Sequence, residues 1–431
     1  MPTIRVFILL ALNQNWPIHQ LDVANAFLHG DIHETVYMTQ PKGFEDTLHP
    51  NHVCLLKKAI YGLKQAPRQW FHKFSSHLIS HGFKQSQADY SLFTFTNSDI
   101  QIHLLIYVDD ILLAGNHSET VSKLIQNLSH QFIMKYLGTV NHFLGIQIQN
   151  NSTSYFLSQS TYATSILSQA RMSSCKPLSN PSFTKLPNIP FTDPILHNPL
   201  SYKQFTGSLQ YLTITRPDIA YSVNVLCQHM HDSQPVHYHL LKRLLKYLQG
   251  TIHFDLPITK GPLKLTTLSD ADWASDPTTR RSTLGYCSFL GSTLISWSVK
   301  KQHTVARSST DAEYRAIAAA TADILWLQKL LVDFQVNSVQ STKLYCDNMS
   351  AIAIEIDHHF VRDHIQSQHI LLMPISTVDQ IADIFTKSLF TKRFQLLRFK
   401  LTVQPEPSIC REVSEQLSTT SHNLTANKPI A

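Results

Sequence analysis

Apolar and polar positions divide the chain into stretches of different period. Val6 to Leu12 is a short apolar run, closed by Asn13-Gln14-Asn15-Trp16-Pro17. It is too short for a membrane span and has no small-residue cleavage site after it, which predicts a core helix. Ile102 to Tyr107 and Ile111 to Ala114 read as two apolar strands meeting at Asp109-Asp110. Six prolines between Pro177 and Pro199 break regular structure. From Tyr202 to Gly250, leucines and isoleucines recur at three- and four-residue spacing, the period of amphipathic helices, with Pro217 and Pro235 near the helix starts. Lys264–Ser269, Leu284–Leu290 and Leu294–Val299 read as strands, the last two joined across Gly291-Ser292, and a helical pattern runs from Asp311 to Asp333. Periodicity is lost after Arg398.

Length and composition narrow the class. A chain of 431 residues corresponds to about three domains at ~150 residues each. The 43% hydrophobic content excludes a mainly disordered chain. A net charge of +6 and pI near 8.9 lean toward polyanionic partners, and the 24 histidines would add positive charge in mild acid. The six cysteines form no CxxC pair, so neither a disulfide framework nor a structural zinc site is expected. A reducing compartment follows, with the cytoplasm as default.

The sharpest chemical signal is the Asp109-Asp110 pair between two apolar strands. Burying two unpaired carboxylates is costly, and hairpin turns favour Asn-Gly or Asp-Gly, so a divalent cation is an economical reason for the pair. A solvent-exposed Asp-Asp turn is the bland alternative. Asp22, at the end of the apolar-bounded Ile18–Phe27 stretch, supplies a third carboxylate for a site holding two hard cations.

Gln20–Gly30, Val36-Tyr37-Met38, Pro41–Phe44, Tyr61–Trp70, Tyr107–Gly115 and Phe143–Ile146 closely resemble, in order, the reverse transcriptase of copia-type LTR retrotransposons. The resemblance implies that Asp22, Asp109 and Asp110 hold two Mg²⁺ ions, with Mn²⁺ as a possible substitute. One ion would activate the primer 3′-hydroxyl and the other would neutralise the triphosphate. It also implies that Phe27 closes on the deoxyribose, that Gln65 and Arg68 contact the incoming nucleotide and template, and that Phe143–Ile146 positions the primer end. Core packing is the alternative for Phe27.

In the second half, Asp270 and Asp272 end one strand and Asp347 ends another. Acids at strand ends suit hydrolytic metal sites, because a rigid sheet fixes their spacing. Thr310-Asp311-Ala312-Glu313 fits a capping box, so Glu313 could instead close a helix N-terminus through the Thr310 backbone N–H. Ser308–Ala316, Thr279–Ser282, Ile295–Ser298 and Gln380–Lys387 resemble the ribonuclease H domain of the same family. That resemblance implies Asp270, Glu313, Asp347 and Asp383 as the four acids holding two Mg²⁺ ions that cut the RNA of an RNA–DNA hybrid, with Asp272 as runner-up to Asp270.

The implied architecture is α+β and multidomain: a right-hand polymerase palm with partial fingers (1–172), a Pro-rich linker and helical thumb or connection (173–262), and an α/β RNase H-like domain (263–390). Residues 391–431 are expected to be a disordered tail. The implied partners are RNA template, DNA primer, RNA–DNA hybrid and dNTPs, with no membrane. Family members carry a fingers segment upstream of Met1–Arg5, so an N-terminally truncated Pol fragment is expected. A family loop is expected to be lost between Ile354 and Glu355, and Tyr136 stands where an acid is usual. The alternative is a catalytically inactive remnant that at most binds nucleic acid non-specifically. A glycan hydrolase needs one acid–base pair and leaves the Tyr107–Gly115 hairpin unexplained.

Overall fold

The first apolar run forms helix Pro2–Asn13, and Val6 to Leu12 are all buried. The computed structural model describes residues 1–151, 153–185, 198–336, 341–353 and 359–405. They fall into two compact units, one made of the described residues in 7–144 and 327–337, the other of those in 1–6, 145–326 and 338–431.

In the first unit, six antiparallel strands lie in the order Lys84–Gln85, Leu92–Asn97, Ile100–Tyr107, Asp110–Gly115, Ile18–Val23 and Met134–Thr139. Leu21, Val23, Leu104, Ile106, Ile111 and Leu113 pack with Trp70, Phe74 and Leu78 of helix Ala66–Ser80 and with Val121, Leu128 and Phe132 of helix Ser118–Phe132. On the other face, His103 stacks on Trp16 and meets Phe334 edge-on. Cover on both faces explains why the two central strands read as continuous apolar runs rather than alternating ones.

The second unit contains two sheets. In one, Ile146–Asn151, Ser154–Ser158, Phe254–Thr259 and Gln404–Pro405 lie side by side. In the other, the order is Thr293–Lys301, Thr283–Leu290, Leu265–Asp272, Thr342–Cys346 and Ile370–Pro374. The first three of these are antiparallel neighbours, whereas Leu265–Asp272, Thr342–Cys346 and Ile370–Pro374 run parallel. Gly291 turns the Thr283–Lys301 hairpin with φ +64, where an added Cβ would clash with the Pro262 carbonyl oxygen. Helix Ser309–Asp333 buries Ala312 and Ala316 against Ala271 and Leu284 of the sheet. Asp323, on the same helix, accepts hydrogen bonds from Ser288 at 3.0 Å and Ser296 at 3.1 Å, which fixes the helix against two strands.

The C-terminal stretch departs from the expected tail. Residues 391–405 form helix Thr391–Lys400 and a strand paired with Phe254–Thr259. The helix has little amphipathic period, but Phe394 and Leu397 are buried and Tyr247 meets Phe394 edge-on. Arg398 stacks over Phe254, and its guanidinium donates to the Tyr247 hydroxyl at 3.3 Å. Docking on aromatic rings, rather than an apolar stripe, orders this segment. Residues 406–431 and the expected lesion between Ile354 and Glu355 lie outside the described residues.

Candidate metal centres

The Asp109-Asp110 pair sits at the turn between Ile100–Tyr107 and Asp110–Gly115. Strand Ile18–Val23 runs antiparallel beside it and sets Asp22 opposite Asp110, while the Val23 N–H donates to the Asp109 carbonyl at 2.9 Å. Sheet register therefore brings together three carboxylates that are distant in sequence. Burial raises the Asp110 carboxyl above its ordinary range, and the Asp109 and Asp22 charges raise it further, against a hydrogen bond from Gln20.

The turn itself is strained. Val108 has φ 58, a left-handed conformation that costs a residue with a Cβ ~1–2 kcal/mol. The buried Trp70 indole N–H donates to the Val108 carbonyl at 2.6 Å and anchors the turn to helix Ala66–Ser80. Phe27 is half-buried, with its ring 4.5 Å from that of Tyr61. Gln65 donates to Glu34 at 3.2 Å, and Arg68 is exposed near the start of helix Ala66–Ser80. Tyr136 shares a hydrogen bond with His19 at 2.8 Å.

The second constellation is tighter. Strand Leu265–Asp272 carries Asp270, the neighbouring parallel strand Thr342–Cys346 delivers Asp347 at its end, and the short helix Ile381–Phe385 supplies Asp383. One ligand oxygen from each of Asp270, Asp347 and Asp383 lies within 4.8 Å of the others. Glu313, Cys346 and Asp347 form an overlapping group at the same spacing. Among the described residues, Asp22, Asp109 and Asp110 do not come that close.

Cations and hydroxyls brace these acids. Lys387 Nζ lies 2.8 Å from Asp383 and 3.4 Å from Asp270. Arg393 reaches Asp383 at 3.1 Å, and the Thr386 hydroxyl donates to Asp270. Burial pushes the Asp270 carboxyl up, as do the Asp383 and Asp347 charges, against the pull of Lys387 and Thr386. Burial likewise pushes Glu313 up, reinforced by the Asp270 charge.

The capping role considered for Glu313 falls to its neighbours. Ser308 accepts from the Asp311 N–H at 3.1 Å, and Asp311 accepts from the Arg307 N–H at 2.8 Å. Glu313, 5% exposed, instead accepts from the Cys346 thiol at 3.8 Å. Asp272 is half-buried and lies outside both groups. Sequence reasoning missed the bracing by Lys387, Thr386 and Arg393. The four-residue spacing of Asp383 and Lys387 was the available signal, because it puts a cation close enough in the chain to pair with the acid.

Comparison with known proteins bears on the family of the chain. Residues 1–184 match the family described as reverse transcriptase (RNA-dependent DNA polymerase). The retrovirus-related Pol polyprotein from transposon RE1 of Arabidopsis thaliana is 40% identical over 94% of this chain, and the match spans 29% of that polyprotein's length. A protein attributed to transposon Ty5-1 of Saccharomyces cerevisiae is 31% identical over 70% of this chain and 100% of its own. A solved N-terminal RNase H domain from Mycobacterium tuberculosis is similar over 32% of this chain and 97% of its own, at 12% identity and a TM-score of 0.22, too low to carry an argument. The chain belongs to the family of copia-type retrotransposon Pol proteins, whose reverse transcriptase region it carries. No helix among the described residues is long and apolar enough to cross a membrane.

Proposed function

We propose that the chain copies RNA into DNA and degrades the RNA of the resulting hybrid, with Mg²⁺ as cofactor and an RNA template, a DNA primer, the RNA–DNA hybrid and dNTPs as partners. The observation that carries the reading is the convergence of Asp270, Asp347 and Asp383, with ligand oxygens within 4.8 Å, at the ends of two parallel strands and a short helix. Carboxylate oxygens alone make a donor set for hard divalent ions. Mg²⁺ held by Asp270, Glu313, Asp347 and Asp383 would supply a water of lowered pKa and neutralise charge on the scissile phosphate.

The chain's own groups set the geometry. Asp270 and Glu313 are buried and each shares one of the two groups with Asp347, which keeps their oxygens out of solvent beside it. Lys387 offsets the mutual repulsion of Asp270 and Asp383, and Arg393 holds the far oxygen of Asp383.

At the other centre, the rigid turn presents Asp109 and Asp110 beside Asp22 for the primer terminus and the triphosphate. Half-buried Phe27 packs against Tyr61 where it can close on a deoxyribose, and exposed Arg68 is free to bond phosphate or a base edge. The test pairs RNA-strand cleavage in a hybrid with primer extension on an RNA template, both in Mg²⁺. Asp347→Asn should abolish cleavage and spare extension, and Asp109→Asn should do the reverse. Cleavage unchanged by Asp347→Asn would refute the nuclease assignment, and absence of both activities in the unaltered chain would favour the inactive remnant.

A further inference from the structure

Asp347 belongs to two groups at once. One holds only carboxylates, while the other, Glu313, Cys346 and Asp347, includes a sulfur. We infer that Cys346, with Glu313 and Asp347, forms an alternative site for a thiophilic divalent cation, of the zinc or cadmium type, overlapping the all-oxygen acids and excluding a hard cation from Asp347 when filled.

The geometry suits such an ion. With Zn–S of ~2.3 Å and Zn–O of ~2.1 Å, a tetrahedral angle separates the two ligand atoms by about 3.6 Å. The Cys346 sulfur and the Glu313 Oε2 stand 3.8 Å apart. At present the thiol hydrogen bridges them, and a metal would take its place, releasing that proton as the S–metal bond forms. The Asn348 backbone N–H donates to the same sulfur at 3.4 Å, an outer contact that orients the ligand. Cys346 is buried and Asp347 half-buried, so the carboxylate side gives the ion its approach and leaves a fourth position open.

Sulfur discriminates between ions. Thiolates select soft and borderline cations, whereas Mg²⁺ demands oxygen and parts with water reluctantly. The inference needs only this donor set and survives failure of the nuclease reading.

The full chain is titrated with Cd²⁺, and the ultraviolet thiolate-to-cadmium charge-transfer band is followed in the presence of excess Mg²⁺. One cadmium per chain is expected to bind through Cys346 despite the Mg²⁺. Cys346→Ser should remove one thiolate's share of the band, and Asp347→Asn should weaken that binding at least about tenfold. The other five cysteines are unchanged in both variants, so the difference between the unaltered chain and Cys346→Ser isolates Cys346. A band unchanged by Cys346→Ser overturns the site. Should that variant fail to fold by circular dichroism, Asp347→Asn decides alone, since its side chain is half-exposed, and unaltered Cd²⁺ affinity there would overturn it as well.

Discussion

Replacing Trp70 with phenylalanine removes the indole that holds the Val108 carbonyl while keeping an aromatic ring in the core. The lost hydrogen bond, 2.6 Å in the native turn, is worth ~0.5–1.5 kcal/mol. The smaller ring also leaves a gap among Phe74, Phe132 and His29, whose rings lie 5.3, 5.5 and 5.6 Å from that of Trp70. Full truncation of such a side chain costs ~3–5 kcal/mol, so the partial loss adds about 1 kcal/mol. The sum is about 2 kcal/mol, or about 1 M in the urea midpoint for a slope near 2 kcal/mol/M. Far-ultraviolet circular dichroism of the full chain in urea reads it. Val108→Gly should lessen the penalty, because glycine adopts φ +58 without the Cβ clash. The double variant should therefore lose less than the sum of the single changes. A shift under ~0.5 kcal/mol for Trp70→Phe, or strict additivity with Val108→Gly, would refute the claim that Trp70 holds a strained turn.

Two further outcomes concern the second unit. Arg216→Met leaves Asp218 buried beside Tyr247 without the guanidinium that now meets it at 2.7 and 2.9 Å, and should cost ~3–5 kcal/mol in thermal or urea unfolding; a loss below ~1 kcal/mol would contradict the buried pair's role. Asp270 and Glu313 both have raised folded-state pKa values, so without divalent ions the fold binds more protons than the unfolded chain above the ordinary carboxylate range. Thermal stability in chelator should be greatest in acid as far as these two are concerned, and should fall as pH rises through their raised values. Added Mg²⁺ should recover it increasingly toward alkaline pH, and a Mg²⁺ effect independent of pH would count against these acids as ligands.

Much of this architecture was legible because short-range signals matched the long-range contacts. The expected strands at 264–269, 284–290 and 294–299 correspond to Leu265–Asp272, Thr283–Leu290 and Thr293–Lys301, since glycine at position 291 gives the turn a backbone conformation other residues resist. The helix expected over 311–333 starts two residues earlier, at Ser309, where Ser308 and Asp311 close its end. Carboxylates flanked by apolar strands stood out for the cost of burying them. Other features left no periodic trace. Helix Thr391–Lys400 docks through Arg398, Phe394 and Tyr247, contacts between residues about 150 apart, and its own sequence has no apolar face to announce it. The strain at Val108 was equally hidden, because valine is a strand former and only the turn geometry forces its φ positive.

The account stands on acids that converge to hold divalent cations, and Mn²⁺ binding followed by electron paramagnetic resonance reads that property without requiring turnover. Asp347 joins both acid groups of the second unit, so Asp347→Asn should remove bound Mn²⁺ from that centre and leave the Asp22–Asp109–Asp110 ions in place, while Asp109→Asn should do the opposite. Equal stoichiometry and affinity in the unaltered chain and in a combined Asp109→Asn, Asp347→Asn variant would contradict the account.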